Sequence, residues 1–141
     1  MHKVQFYFLD RKPTVKERNR LKLFIEKLFM QERKKLGNLS YIFCSDEHLL
    51  GINKDFLKHD FYTDVITFDL SSSKTETEGE VYLSIDRIKD NAKQLDVSFN
   101  EELHRVIFHG ALHLCGYKDK NKIDEQQMRS AENKYLKRYF K

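Results

Sequence analysis

The sequence is poor in the features that staple or anchor a chain. Only two of its 141 residues are cysteine. Cys44 and Cys115 lie far apart with no C-x-x-C spacing, which argues against a disulfide framework and for a reducing compartment. Long apolar runs are missing too. The longest stretch without a formal charge, residues 106–117, has twelve residues and includes two histidines, against the roughly 18 apolar residues of a membrane span. The opening residues MHKVQFYFLD lack the layout of a signal peptide, so a cytoplasmic location is expected. With one proline, five glycines, no internal repeat and no linker-like stretch, a single domain over residues 1–141 is expected. A chain of 17.0 kDa buries about 69% of its unfolded surface by area scaling, enough for a core without staples.

Charge of one sign is scarce in the middle of the chain and concentrated at its flanks. The net charge is +4, but residues 11–35 carry ten basic and three acidic side chains, and residues 118–141 carry eight and four. Residues 36–117 reverse the balance, with seven basic and fourteen acidic. A basic frame around an acidic centre suits a protein that holds a polyanion at its rim and keeps carboxylates near its chemistry. Such charges also mark the solvated faces of helices.

The patterning alternates between strand and helix. Residues 4–8 read as a strand, and Pro13, Thr14 and Glu17 form a capping-box signal for a first helix. In that helix Leu21, Phe24, Ile25 and Leu28 recur on one face, and Gly37 is its expected stop. Strands are predicted over 39–44, 64–70 and 80–85, with the polar segment 71–79 as a hairpin loop. Asp46, Leu49, Ile52 and Phe56 fit a shorter helix. Ile88, Ala92 and Leu95 mark a third, Ser98 and Glu101 start a fourth that Gly116 ends, and Met128, Ala131 and Tyr135 mark a fifth. Four strands and five helices predict an α/β domain with helices packed on a small four-stranded mixed sheet.

The chemistry is concentrated in HGALHLCGYKD, residues 109–119. Residues four apart on a helix share a face, so His109 and His113 present their imidazoles together. Gly116 then breaks the helix, and the turn swings the carboxylate of Asp119 back toward the same point. Two imidazoles and a carboxylate suit Zn²⁺, one ion per chain, with a fourth position left for water. Two imidazoles on an otherwise apolar helix are costly to bury unless something satisfies them. The other histidines, His2, His48, His59 and His104, have no such company and read as surface or packing residues. The spacing also approximates the helix of zincin-type peptidases, in which a Glu beside the first His is the general base. Gly110 stands there instead, which disfavours peptide hydrolysis.

Taken with Thr63-Asp64-Val65-Ile66-Thr67-Phe68, Gly79-Glu80-Val81, Asn53, Asp60 and Met128, this segment resembles the YbeY family of bacterial rRNA-maturation endoribonucleases. The resemblance implies a single α/β domain, a zinc ion held by three side chains, and single-strand-selective RNA cleavage. It further implies a part in 16S rRNA 3′-end processing on the small ribosomal subunit and in ribosome quality control. Two departures from the family stand out. Asp119 stands where a third histidine is common, preceded by Lys118 rather than Asp; an anionic ligand offsets more of the metal's charge, so water beside it is acidified less. Leu57 stands where the family carries an arginine proposed to contact phosphate, and Lys58 follows it as a substitute point charge that cannot form the bidentate fork.

On this reading zinc acidifies the attacking water and polarises the phosphoryl group. Asp64 either orients that water or a ligand histidine, or caps backbone at a strand start. Lys16, Arg20 and Lys27 of the first helix, with Lys58, are expected to contact phosphates without reading bases. Two other classes remain open: a metallopeptidase or other small-substrate hydrolase using the same zinc, and a non-catalytic ribosome-assembly factor whose metal pins the last helices.

Overall fold

A computed structural model describes residues 2–141. Nine elements follow one another: β1 (Val4–Phe8), α1 (Arg18–Gln31), β2 (Leu36–Cys44), α2 (Asp46–Leu57), β3 (Val65–Asp69), β4 (Thr77–Ser84), α3 (Ile85–Leu95), α4 (Phe99–Leu114) and α5 (Lys122–Tyr139). The four strands form one sheet in the order β1-β2-β4-β3. β1 pairs with β2 and β2 with β4 in parallel, whereas β3 pairs antiparallel with β4, the two forming a hairpin. The expected α/β domain, its mixed sheet and its five helices are all present.

Strand alternation sorts the side chains onto two faces. Leu39, Tyr41 and Phe43 of β2 and Val81 and Leu83 of β4 join the main core with side chains of α1, α3, α4 and α5. On the opposite face Cys44 and Ile66 pack with Leu49 of α2. β2 is thus buried on both faces toward its end, as a central parallel strand must be. α4 is the central helix: Leu103, Val106, Ile107, Phe108, Ala111 and Leu112 are all nearly inaccessible. Replacing one such side chain, Phe108, by Ala costs about 3–5 kcal/mol by analogy with other cores. The hydroxyl of Tyr41 donates to the carbonyl of Ile107 at 2.8 Å, tying sheet to helix. Gly110 lets the two approach closely, because a Cβ there would lie 2.6 Å from Val81 Cγ1.

Four helices open on a polar side chain that accepts from a backbone N–H three residues on: Ser45, Ser84, Ser98 and Asn121. The first helix does not. The capping box at Thr14 and Glu17 fails to form, and α1 begins only at Arg18, with Glu17 in the left-handed region at φ 51° and no side-chain cap. Tertiary contacts hold residues 10–15 out of the helix instead: Arg11 grips Asp86 at 2.9 Å, and Val15 is sunk into the core. Gly37 is not the stop either. Arg33 takes the left-handed φ of 59° after α1, and Gly37 lies within β2, where a Cβ would meet the Glu76 side chain at 2.6 Å. At the other end of α4 the expected stop holds, with Gly116 at φ 108°.

Candidate active site

His109 and His113 sit one turn apart on α4 with near-parallel rings, 19° between planes and 6.2 Å between centroids. Each ring is oriented through Nδ1. That atom of His113 lies 2.8 Å from the carbonyl oxygen of Tyr117, in the turn that Gly116 initiates, and that of His109 lies 2.7 Å from Oε2 of Glu132 on α5. A carbonyl and a carboxylate only accept, so the network assigns a proton to Nδ1 in both rings and leaves each Nε2 as the nitrogen available to a further partner. Oδ2 of Asp119 stands 3.7 Å from Nε2 of His109. Of the three residues singled out in the sequence, His109 and Asp119 are brought side by side and His113 lies a turn away in the wall of the same groove, but among the described residues no group of three or more His, Cys, Asp or Glu is placed to hold a metal ion. The donor chemistry fits zinc: two imidazoles with their second nitrogens already engaged, and one carboxylate facing them.

Glu132 is the residue sequence reasoning missed. Only 5% exposed, it is gripped on Oε1 by Arg105 at 3.3 Å and on Oε2 by His109. Its one signal was an acid on the apolar face of α5, one turn after Met128 and next to Ala131. Burial works against charge on His109, but the Glu132 hydrogen bond and the charges of Glu132, Asp64 and Asp119 outweigh it, so the imidazole's pKa is raised. The carboxylates that favour a proton at Nε2 favour any cation there.

Between β3 and the C-terminal half of α4 runs a groove of about 560 Å³, with Asp64, His109, His113 and Asp119 in its wall. Burial raises the pKa of Asp64, opposed by the charge of His109 and by the N–H groups of Asp64 and Val65. Asn91 donates to its Oδ2 at 3.2 Å. The side chain thus sits where the sequence reading of a cap at the start of β3 expects it, and it feels the charge of His109 across the groove without a hydrogen bond to it among the described residues.

The expected phosphate contacts fall elsewhere. Neither lysine nor arginine lines the groove; Leu57 does, and Lys58 instead caps α2 in the left-handed region, with Nζ 3.4 Å from the carbonyl of Asp55. Lys16, Arg20 and Lys27 belong to α1 and the turn before it, and none lines the groove. Arg20 is occupied at the far end of α5 from Asp119: its guanidinium covers the Tyr139 ring at 4.1 Å and donates to the Tyr139 carbonyl. Basic side chains do approach His109 from its other side. A larger cleft of about 930 Å³ between α4 and α5 is bordered by His109 and Asp119 together with Arg105, Lys122 and Arg129. Of the four histidines read as bystanders, His104 is a packing residue, stacked on Tyr139 at 5.3 Å, but His59 lines the groove. Gly110 faces Val81 of the sheet, so a carboxylate at that position would point into the core and not at a substrate.

Fold and groove together define a single-domain α/β protein with an imidazole–carboxylate centre set between a helix and the edge of its sheet. The profile described as Endoribonuclease YbeY matches residues 8–140. The chain is 44% identical over 131 residues to the Endoribonuclease YbeY of Cytophaga hutchinsonii, covering 93% of this chain and 92% of that one. It is 53% identical over 103 residues to that of Porphyromonas gingivalis, covering 73% and 68%. The solution structure of TM1509 from Thermotoga maritima superposes with a TM-score of 0.58 at 28% identity, covering 93% of this chain and 86% of the other. The chain belongs to the YbeY endoribonuclease family and, with it, to the hydrolytic nucleases.

Proposed function

We propose that this protein is a zinc-dependent, single-strand-selective endoribonuclease that acts in maturation of the 16S rRNA 3′ end and in ribosome quality control, on the small ribosomal subunit and in the cytoplasm. The observation that carries the metal-dependent reading is the orientation of the two imidazoles: Glu132 and the Tyr117 carbonyl engage both Nδ1 atoms, so both rings are left with Nε2 to offer, that of His109 facing Asp119 at 3.7 Å. Family membership supports RNA as substrate, and the resemblance of residues 109–119 supports the ribosomal role.

His109, His113 and Asp119 would hold the ion. When bound, zinc supplies Lewis-acid polarisation of a phosphodiester and lowers the pKa of water. The chain's own residues do the rest. Asp64 faces His109 in the groove, orients the attacking water and takes up its proton, a task its raised pKa favours. Glu132 holds His109 in the required tautomer while Arg105 holds Glu132. Phosphates flanking the scissile bond meet Lys122 and Arg129 in the neighbouring cleft. Peptide hydrolysis is disfavoured because position 110 faces the sheet.

The test is metal content by elemental analysis for wild type beside His113→Ala and Asp119→Ala, with cleavage of single-stranded RNA on the same samples. About one zinc per chain in wild type, with metal and cleavage lost together in both variants, is the expected result. Cleavage by metal-free protein would overturn the zinc-dependent mechanism. One zinc per chain without any cleavage would favour an assembly factor with a structural metal.

A further inference from the structure

The groove that holds Asp64 and the histidines has an aromatic side. His59 and Phe61, from the segment between α2 and β3, line it with their rings stacked at 5.0 Å between centroids and 21° between planes. Phe61 is 55% exposed. An exposed phenylalanine is ordinary by itself; this one stands on a segment the fold holds in place. Asn53, only 1% exposed, donates through Nδ2 to the Phe61 carbonyl at 2.8 Å, and its own carbonyl accepts from the His59 N–H at 3.1 Å. Lys58 turns the chain between them at φ 58°, and Asp60 pairs with Lys54 at 3.4 Å. The next aromatic is used differently: the Tyr62 hydroxyl donates to Glu47 at 2.6 Å and Arg87 lies 5.2 Å from its ring centroid. A buried asparagine thus fixes the backbone at His59 and Phe61, the two residues of the segment whose stacked rings line the groove.

We propose that the His59–Phe61 pair is a subsite for an unpaired nucleobase adjoining the scissile phosphate, and that it is the source of single-strand selectivity. The proposal rests on the ribonuclease reading of the groove and names the part of the substrate that the groove takes. Among the described residues no lysine or arginine lines this groove, so substrate recognition in it falls to surfaces that fit a base rather than to point charges. A π-face accepts any base, and only one not already stacked and paired in a duplex has a free face to offer. The basic side chains sit in the neighbouring cleft across His109 and Asp119, which divides the work: bases on one side of the histidines, phosphates on the other.

The experiment compares wild type, Phe61→Ala and Phe61→Trp with a single-stranded oligoribonucleotide carrying 2-aminopurine, whose fluorescence is quenched on stacking. The protein contains no tryptophan, so the Trp variant is itself a reporter. Thermal melts of all three should coincide, because Phe61 is exposed. Phe61→Ala should weaken binding about tenfold, within the range measured for loss of one base-stacking contact, and abolish the quenching, with the loss appearing in KM. Phe61→Trp should restore both. An oligonucleotide abasic at the stacked position should bind wild type and Phe61→Ala alike. If wild type binds and cuts single-stranded RNA but Phe61→Ala binds it equally well, or loses affinity for duplex RNA to the same extent, the subsite is overturned and the ribonuclease reading stands. If wild type binds no RNA, or the groove takes an aromatic peptide side chain in preference, both fall.

Discussion

Nδ1 of His109 lies 2.7 Å from Oε2 of Glu132, 23 positions further along the chain, and that contact couples the helix of the groove to the helix that closes the domain. A carboxylate behind an imidazole fixes the tautomer and raises the basicity of the outward nitrogen, and loss of such partners typically costs 10–100-fold in metal affinity. Glu132→Gln should weaken zinc binding by that order, as read by competition with a chromogenic chelator. Glu132→Ala should also lower the melting temperature, since Arg105 and His109 both lose an acceptor. Unchanged zinc affinity in Glu132→Gln would reduce the contact to a packing device.

Gly110 provides a test of the close seam between α4 and β4. Alanine is intrinsically better than glycine within a helix by about 1 kcal/mol, yet a Cβ here would stand 2.6 Å from Val81 Cγ1 and 2.9 Å from Cγ2. Overpacking of this kind costs about 1–3 kcal/mol. Gly110→Ala should therefore be destabilising in chemical denaturation, and Gly110→Ala with Val81→Ala should recover part of the loss.

The location of phosphate binding is read from salt dependence. Each phosphate neutralised on a single strand contributes about 0.7 to the slope of log affinity against log salt. Arg129→Ala and Lys122→Ala, in the cleft bordered by His109 and Asp119, should each reduce the slope by about that amount. Arg20→Ala should leave the slope intact and lower stability, because its guanidinium is committed to Tyr139. A slope change in Arg20→Ala would return the phosphate path to α1, where the sequence first suggested it.

His104 ties stability to pH. Burial disfavours its charged form and lowers its pKa below the ordinary value of 6.5, against the hydrogen bond to the Asn100 carbonyl and with the charge of Arg20 adding to the effect. The unfolded chain then binds the proton more readily than the folded one, so the stability associated with neutral His104 is present above pH 6.5 and lost as pH falls through the lower folded value. Because the raised pKa of His109 works in the opposite sense, the His104 contribution is read as the difference between wild type and His104→Asn, which keeps a donor near the position of Nδ1: the slope of denaturation midpoint against pH between 7.5 and 5.5 should be less favourable to the acid side in wild type than in the variant. An unchanged slope would place the titrating group elsewhere.

What was legible in the sequence is local. His109 and His113 share a helix face through the helical period alone, and Gly116 ends that helix because its φ of 108° suits a residue without a side chain. Asp119 follows within the same turn and arrives beside His109 as expected. What was not legible depends on packing between distant segments. Glu132 and Asn91 reach His109 and Asp64 only after helices have docked, and no spacing rule connects them. Thr14 and Glu17 carried a valid start signal that Val15, drawn into the core, and the Arg11–Asp86 pair overrode. Phe56 kept helical spacing with Leu49 and Ile52 yet remains 70% exposed, and His59, with no motif around it, was carried into the groove by the turn at Lys58.

The parallel pairing of β2 with β4 has a consequence in time. Those strands meet only after the chain between them, which forms α2 and β3, has folded back, and such non-local pairing is slow because loop-closure entropy is lost before contacts reward it. The α4–α5 and β3–β4 pairs are each neighbours in sequence, so the β2–β4 pairing is the step that topology makes slow on refolding. On refolding from denaturant, recovery of the groove, whose walls come from both β3 and α4, is therefore expected to follow strand pairing.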